Sequence, residues 1–412
     1  MQPERLILGI VTYLAVAWGI LRLLRGHWRA VAFAIWNVAA VYFFFIKIHD
    51  RYATKLFVIY IVAVIAMFGV MKAFAEKSGW KHGLAFFTPI LILIIVRYVP
   101  GLNPALSGWL GAKNLLDAGN TIGLIFVGLS YLAFRCSHLV LEVRNGQVEK
   151  PGFWEYLGFS FFAPTMPVGP INSYGNYRRG FAAEAPVLPL GRALLRILVG
   201  LVKYLILGNL FNQLGYSGLL LDDHYHSWRD LPIAAIFFYL YVYLNFSGFC
   251  DIAIGGAGLI GIPVPENFNY PLAARNVKDV WNRWHMTLSG YMRDVVFSPL
   301  SKFLAYRMGP QNVNHAIAIT IMVVFLLIGI WHGTGWNYAA FGVLQGLAVI
   351  ANLYYTIGLK KWLGRDGMRA YNANRWIHAI AVVMTFLYMA FSLFFFGNSP
   401  AEMREIFSEI RW

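Results

Sequence analysis

Long apolar runs separated by short polar loops set the pattern of this chain. The runs lie near residues 5–24, 30–48, 56–74, 84–100, 119–143, 190–215, 231–262, 313–331, 335–357 and 376–398. Each is close to the ~20 residues that carry an α-helix across a ~30 Å hydrocarbon core. One of them, "AIAITIMVVFLLIGIW", holds no charge at all. The short alternating segments that mark an outer-membrane barrel are absent. The pattern therefore predicts about ten transmembrane helices, without the internal repeat of many secondary transporters.

Two stretches depart from simple spans. Residues 156–170, "YLGFSFFAPTMPVGP", are apolar but broken by Pro164, Pro167, Gly169 and Pro170. Such a segment predicts a re-entrant excursion, tolerated where protein buries it or it lines a cavity. Residues 264–312 mix Trp281, Trp284, Met292, Val296 and Phe297 with Arg283, Arg293, Lys302 and Arg307. That mixture predicts amphipathic helices against one membrane face.

Composition sharpens the class. Hydrophobic residues make up 59% of 412 and charged residues 13%, with a mean hydropathy of +0.58; soluble domains carry about 25% charge. The net charge of +15 follows the positive-inside rule and does not call for nucleic acid. Basic loops at Arg22/Arg25/Arg29, Lys72/Lys77/Lys81, Arg144/Lys150, Arg178/Arg179, 264–312 and Lys360/Lys361/Arg365/Arg369/Arg375 are placed on the cytoplasmic side. Loops 101–118, with Lys113, and 216–230, with Asp222, Asp223 and Asp230 against Arg229, are placed outside. Arg51 and Lys55 dissent. Both termini are then outside, in a multi-pass membrane protein. The first run lacks a basic leader, which predicts a retained span rather than a cleaved signal. Cys136 and Cys250 sit in apolar segments without metal or disulfide spacing and are read as packing residues.

Ionisable groups inside spans need a reason, because insertion costs roughly 2.5–3.5 kcal/mol each. Arg135, His138 and Glu142 share one helix face and suit an internal ion pair. Asn245, Ser247 and Asp251, interleaved with Gly248 and Gly255, leave Asp251 as either a buried structural acid or part of a reaction chamber. His332 closes an apolar run just before Gly333 and Gly335, and His285 lies in "WNRWH". A lone membrane histidine is often only a hydrogen-bonded interhelical residue. Two in Trp-flanked settings suit proton transfer near neutral pH. No third ligand at metal spacing accompanies them, so no metal site is expected. Hydrolase, Walker and dinucleotide motifs are likewise missing, and "GGAG" at 255–258 reads as helix packing.

At these residues the chain resembles a known family. The 246–300 stretch, "FSGFCDIAIGGAGLIGIPVPENFNYPLAARNVKDVWNRWHMTLSGYMRDVVFSPL", resembles the central motif of the membrane-bound O-acyltransferase family. "GIWHGTGWNYAAFGVLQG", residues 329–346, resembles that family's second motif, and 128–146 and 161–171 resemble further segments in the right order. The likeness is to the bacterial branch that modifies surface polymers, shared between a D-alanyl-transferring DltB type and an acetylating AlgI type. "SYLAFR" and "WNRWH" lean to the first; "GFCDIAIG" and "NFNYP" sit with the second. The chain departs from the pattern at Asn245, where AlgI-like sequences often carry an acid. It departs again at "SPLSKFL", which lacks a glycine pair.

The resemblance implies an all-α polytopic bundle of about ten helices, with a re-entrant segment and cytoplasmic amphipathic helices around a central tunnel. A single membrane-embedded acyltransferase domain would fill residues 1–412: peripheral spans over 1–118, a catalytic core over 119–357, and a last span and tail over 358–412. The implied reaction moves an acyl group, D-alanyl or acetyl, from a cytoplasmic thioester to a hydroxyl presented from the other face. The donor would be the phosphopantetheine of an acyl carrier protein, or acyl-CoA, with no permanently bound cofactor. The acceptor would be a surface polymer or an extracytoplasmic acyltransferase partner. His332 is the expected general base and His285 the donor-side histidine, walled by Trp281, Trp284 and Trp331. Asn267, Arg283 and Asp251 complete the expected substrate-binding set. Arg275, Lys278, Arg283 and Arg293 either receive an acidic donor or merely set topology. The alternative is a transporter or flippase for a lipid-linked precursor, which would move its substrate without covalent change.

Overall fold

A computed structural model describes residues 3–45, 51–98, 128–182, 186–221, 224–333 and 335–411. Among them, seven helices are long and apolar enough to cross a membrane: Glu4–Leu23, Phe57–Phe74, Leu190–Gln213, Asp230–Leu259, Pro310–His332, Trp336–Ala373 and Arg375–Gly397. Each coincides with one of the ten expected spans. Two more expected spans coincide with helices outside that set, Gly26–Phe45 and Trp80–Tyr98. The remaining one, 119–143, lies partly outside the described residues. So do Lys113, Asp222 and Asp223.

The described chain divides into two compact units. The first holds residues up to Leu201 together with Phe249–Pro265. Its helices are α1 (Pro3–Leu23), α2 (Gly26–Phe45), α3 (Arg51–Phe74), α4 (Trp80–Tyr98), α5 (Leu129–Arg144), α6 (Phe153–Ser160), α7 (Tyr174–Phe181) and α8 (Leu190–Leu201). The broken 156–170 segment is enclosed by protein, as its proline-interrupted backbone requires. Phe159, Phe161, Phe162 and Met166 are fully buried within it. What holds it is Arg135 on α5, itself fully buried. Its guanidinium donates to the Ser160 carbonyl at 2.8 Å and the Thr165 hydroxyl at 3.1 Å. Arg135 thus turns away from the expected ion pair. His138 and Glu142 approach each other at 3.4 Å. Glu142 also accepts from the Tyr174 and Gly175 amides at 2.9 and 3.1 Å, closing the first turn of α7. Asn37 in α2 is spent similarly, accepting from Tyr13 at 2.9 Å and from the Ala163 amide at 3.0 Å.

Glycine spacing explains the 255–258 run. A Cβ at Gly255 would fall 2.9 Å from Ile197 and 3.1 Å from the Ala193 carbonyl, so α8 approaches there only because the side chain is missing. Close to this crossing Arg196 pairs with Asp251 at 3.1 Å.

The second unit holds Val202–Gly248 and Glu266–Trp412. A π-helical turn, Val202–Leu207, continues α8 into α9 (Gly208–Gln213). Then come α10 (Tyr216–Leu219), the two-residue strand β1 (His226–Ser227) and α11 (Asp230–Leu259), whose last eleven residues belong to the first unit. The 264–312 stretch forms short helices, as its mixed polarity predicts: α12 (Val277–Arg283), α13 (Met286–Met292), a π-turn over Arg293–Phe297 and α14 (Ser298–Met308). They bury Val277, Val280, Trp281 and Leu288. Three long helices follow, α15 (Val313–His332), α16 (Trp336–Ala373) and α17 (Arg375–Gly397). α16 runs past its expected end at 357 and bends at Gly364, which takes φ 66°. α15 and α16 meet where Gly342 lies beneath Phe325, with no room for a side chain. The chain ends in α18 (Pro400–Glu409), started by a Ser399/Glu402 capping box, and β2 (Ile410–Arg411), paired in parallel with β1.

Candidate active site

Sequence places His285 and His332 forty-seven residues apart, and the fold of the second unit brings both to one indole. The Trp331 ring lies 4.4 Å from the His332 ring and 6.4 Å from that of His285. His332 is half-buried on the last turn of α15. The edge of Phe396 meets it at 4.9 Å. Gly333 follows because a Cβ there would collide with the Tyr338 ring, so the exit from α15 is set by space.

His285 is built differently. It is buried, 3% exposed, and adopts φ 46° and ψ 48°, left-handed backbone that costs a side-chain-bearing residue about 1 kcal/mol. A clasp of two segments enforces it. Phe268 and Trp284 form an antiparallel bridge, the Asn269 amide donates to Arg283 O at 2.9 Å, and the Met286 amide to Asn267 O at 3.0 Å. The fully buried Asn267 side chain accepts from both the amide and the hydroxyl of Thr287, at 3.1 and 2.9 Å. Asn267 is thereby a fastener of the histidine turn. Phe246 packs edge-on against the His285 ring at 4.8 Å. Burial, with the His332 ring acting in the same direction, pulls the His285 imidazole down to about 3. Burial of this kind favours the neutral imidazole over the cation.

The tryptophans divide their work. Trp284 packs among Tyr239, Tyr243 and Phe268, with ring centroids 5.1–6.0 Å apart. Trp281 is locked from the other side: its indole N–H donates to Gln345 at 3.0 Å, whose amide donates to Ser392 at 2.7 Å. This chain ties α12 to α16 and α17. Arg283 closes on Asp279 at 2.9 Å, within one short helix. Asp251 lies on the part of α11 that belongs to the first unit, paired with Arg196. Arg275 and Lys278 are exposed at α12.

Several supporting residues escaped the sequence analysis. Gln345 and Ser392 were legible as polar residues inside apolar spans, the usual sign of an internal partner. Asn337, which donates to the Phe395 and Asn398 carbonyls at 3.1 and 3.2 Å and so fixes the end of α17 that carries Phe396, left a similar trace. Phe396 left none, since one phenylalanine in "SLFFFG" looks like another.

Comparison with known proteins places the chain in one family. The model of the membrane-bound O-acyltransferase family matches residues 39–394, a range that contains both histidines. The chain is 28% identical over 407 residues to the teichoic acid D-alanyltransferase of Streptococcus thermophilus, covering 94% of this chain and 92% of that protein. It is 28% identical over 366 residues to the teichoic acid D-alanyltransferase of Bacillus subtilis, covering 86% of each. A peptidoglycan O-acetyltransferase of Helicobacter pylori is 29% identical over 228 residues, covering 51% of this chain and 39% of that protein. With the family pattern spanning residues 39–394 and this chain's two Trp-His pairs gathered on one indole, this multi-pass chain belongs to the membrane-bound O-acyltransferase family and is an acyltransferase.

Proposed function

We propose that the protein moves a D-alanyl group from a cytoplasmic thioester across the bilayer to a hydroxyl of an anionic surface polymer, or to a relay partner on the outer face. Coverage supports the D-alanyl choice. The D-alanyltransferases align along nearly the whole chain, whereas the O-acetyltransferase aligns along about half of it. The whole chain acts as one membrane-embedded unit in a bacterial cytoplasmic membrane, with the donor on the face that carries α12.

The observation that carries the mechanism is the pairing of one half-exposed histidine with one buried histidine on a shared tryptophan. His332 accepts the acceptor hydroxyl's proton as that oxygen attacks the thioester carbonyl. His285 donates a hydrogen bond to the carbonyl oxygen as charge builds on it, a role that a neutral imidazole fills without any change of protonation. The tetrahedral intermediate then expels the thiolate, which takes the proton back from His332 and leaves as thiol. The passage that admits donor and acceptor brings them to near-attack range, roughly 3–3.5 Å, between Trp281, Trp284 and Trp331. Asn267 holds the His285 turn, and Arg275, Lys278, Arg283 and Arg293 give the donor face its positive charge.

The test is acyl transfer in membranes supplied with a charged carrier protein. Mass spectrometry of the purified surface polymer identifies the acyl group, and His332→Ala and His285→Ala are compared with wild type. Ester-linked D-alanine that falls about 10²- to 10⁴-fold in His332→Ala is the expected result. Acetate in its place would move the protein to the acetylating branch. Undiminished transfer in His332→Ala, with normal protein levels, would remove the base assignment.

A further inference from the structure

Away from the histidines, the first unit contains a cavity of about 520 Å³ between the start of α2, the start of α6 and the end of α7. Its lining includes His27, Arg29, Trp154, Glu155, Arg178 and Phe181. The volume falls within the roughly 300–1,000 Å³ of ordinary small-molecule sites. The Arg29 guanidinium lies over the Phe181 ring at 4.9 Å, which fixes its plane. Its Nε is buried and has no hydrogen-bond partner among the described residues. A buried guanidinium N–H without an acceptor is costly, and an oxyanion is the acceptor whose geometry suits it best. Arg178 reaches the same space, in an exposed ion pair to Glu149 at 3.0 Å. Exposed pairs of that kind exchange readily.

The surroundings indicate what carries the anion. Leu23 and Trp28, 79% and 72% exposed, stand at the α1–α2 turn beside the cavity. Exposed tryptophans at span ends settle at headgroup level. Glu155 also faces the cavity, accepting from the Tyr174 hydroxyl at 2.8 Å. A carboxylate next to two arginines disfavours a bare phosphate and favours a phosphate that carries hydroxyl donors. We infer that this cavity binds the phosphodiester of an anionic glycerolipid, with Arg29 and Arg178 on the phosphate and Glu155 on the glycerol hydroxyls.

The purified protein is reconstituted in nanodiscs of phosphatidylcholine with and without phosphatidylglycerol, and lipids retained after release are counted by native mass spectrometry. Wild type should keep phosphatidylglycerol in preference to phosphatidylcholine. Arg29→Gln and Arg178→Gln should each weaken that retention about tenfold, the usual worth of one charge-assisted bond. Arg404→Gln, at an exposed arginine outside the cavity, should not. Unchanged melting of the variants in phosphatidylcholine alone shows that they fold. Equal retention of the two lipids, or full retention in both cavity variants, overturns the site. A parallel arm adds soluble glycerol phosphate: the lipid assignment requires that it fail to displace the lipid, and efficient displacement overturns the lipid as source.

Discussion

His285 concentrates two unfavourable choices, a left-handed backbone and a buried imidazole, and both are imposed by its neighbours. An unfolded histidine titrates near ~6.5, and this one is held at about 3. The unfolded chain therefore binds more protons between those values, so stability falls as pH drops through that window and is fully recovered above it. The effect is on the order of a few kcal/mol. Melting curves in detergent from about pH 4 to about pH 7 should show a slope that flattens in His285→Gln. Identical slopes in the two proteins would mean that the ring does not titrate from a buried, neutral state. A second expectation concerns Asn267. Its replacement by alanine strips two acceptor contacts from Thr287 and should cost about 1–3 kcal/mol. Loss of transfer should accompany it through the displaced His285. If melting falls while transfer per folded molecule holds, the clasp is structural only.

At the scale of elements, the site depends on how α12 is tied to the long helices. Trp281→Phe keeps an aromatic ring, though a smaller one, and removes the N–H that Gln345 accepts, leaving a buried amide oxygen unsatisfied at a cost of about 1–3 kcal/mol. Gln345→Leu removes the partner instead. The double variant should lose less than the sum of the two, because the second change deletes a bond already broken. Strict additivity in unfolding measurements would show that the indole and the amide do not interact. The α15–α16 crossing makes a separate demand. A Cβ at Gly342 would sit 2.5 Å from the Phe325 carbonyl oxygen, so Gly342→Ala forces the helices apart. About 1–3 kcal/mol of destabilisation is expected, and a melting point equal to wild type would contradict so tight a crossing.

For the whole molecule, orientation follows from where the basic loops lie. Because both native cysteines are buried, the wild-type protein should react little with a membrane-impermeant thiol reagent. Cysteine introduced at Lys278, in the basic α12 region, should then label from the cytoplasmic side only. Cysteine at Trp228, in the acidic loop before α11, should label from outside only. Labelling of both positions from the same side would break the assigned topology and, with it, the two-faced reaction.

The amino-acid order alone determined the class of the molecule, since apolar runs of about 20 residues have one stable use. It also marked where seven long helices lie, and singled out both histidines as candidates through their Trp-rich settings. These are local properties, written in hydropathy and in neighbouring residues. Tertiary structure decided what no local pattern carries: that Arg135 braces the broken segment instead of pairing with Glu142, and that Asp251 answers to Arg196. It also decided that Trp281 hangs on Gln345 and Ser392, and that Phe396 is the phenylalanine facing His332. Each of those depends on which faces of distant helices meet, and close packing between residues far apart in the chain is fixed only when the helices have docked.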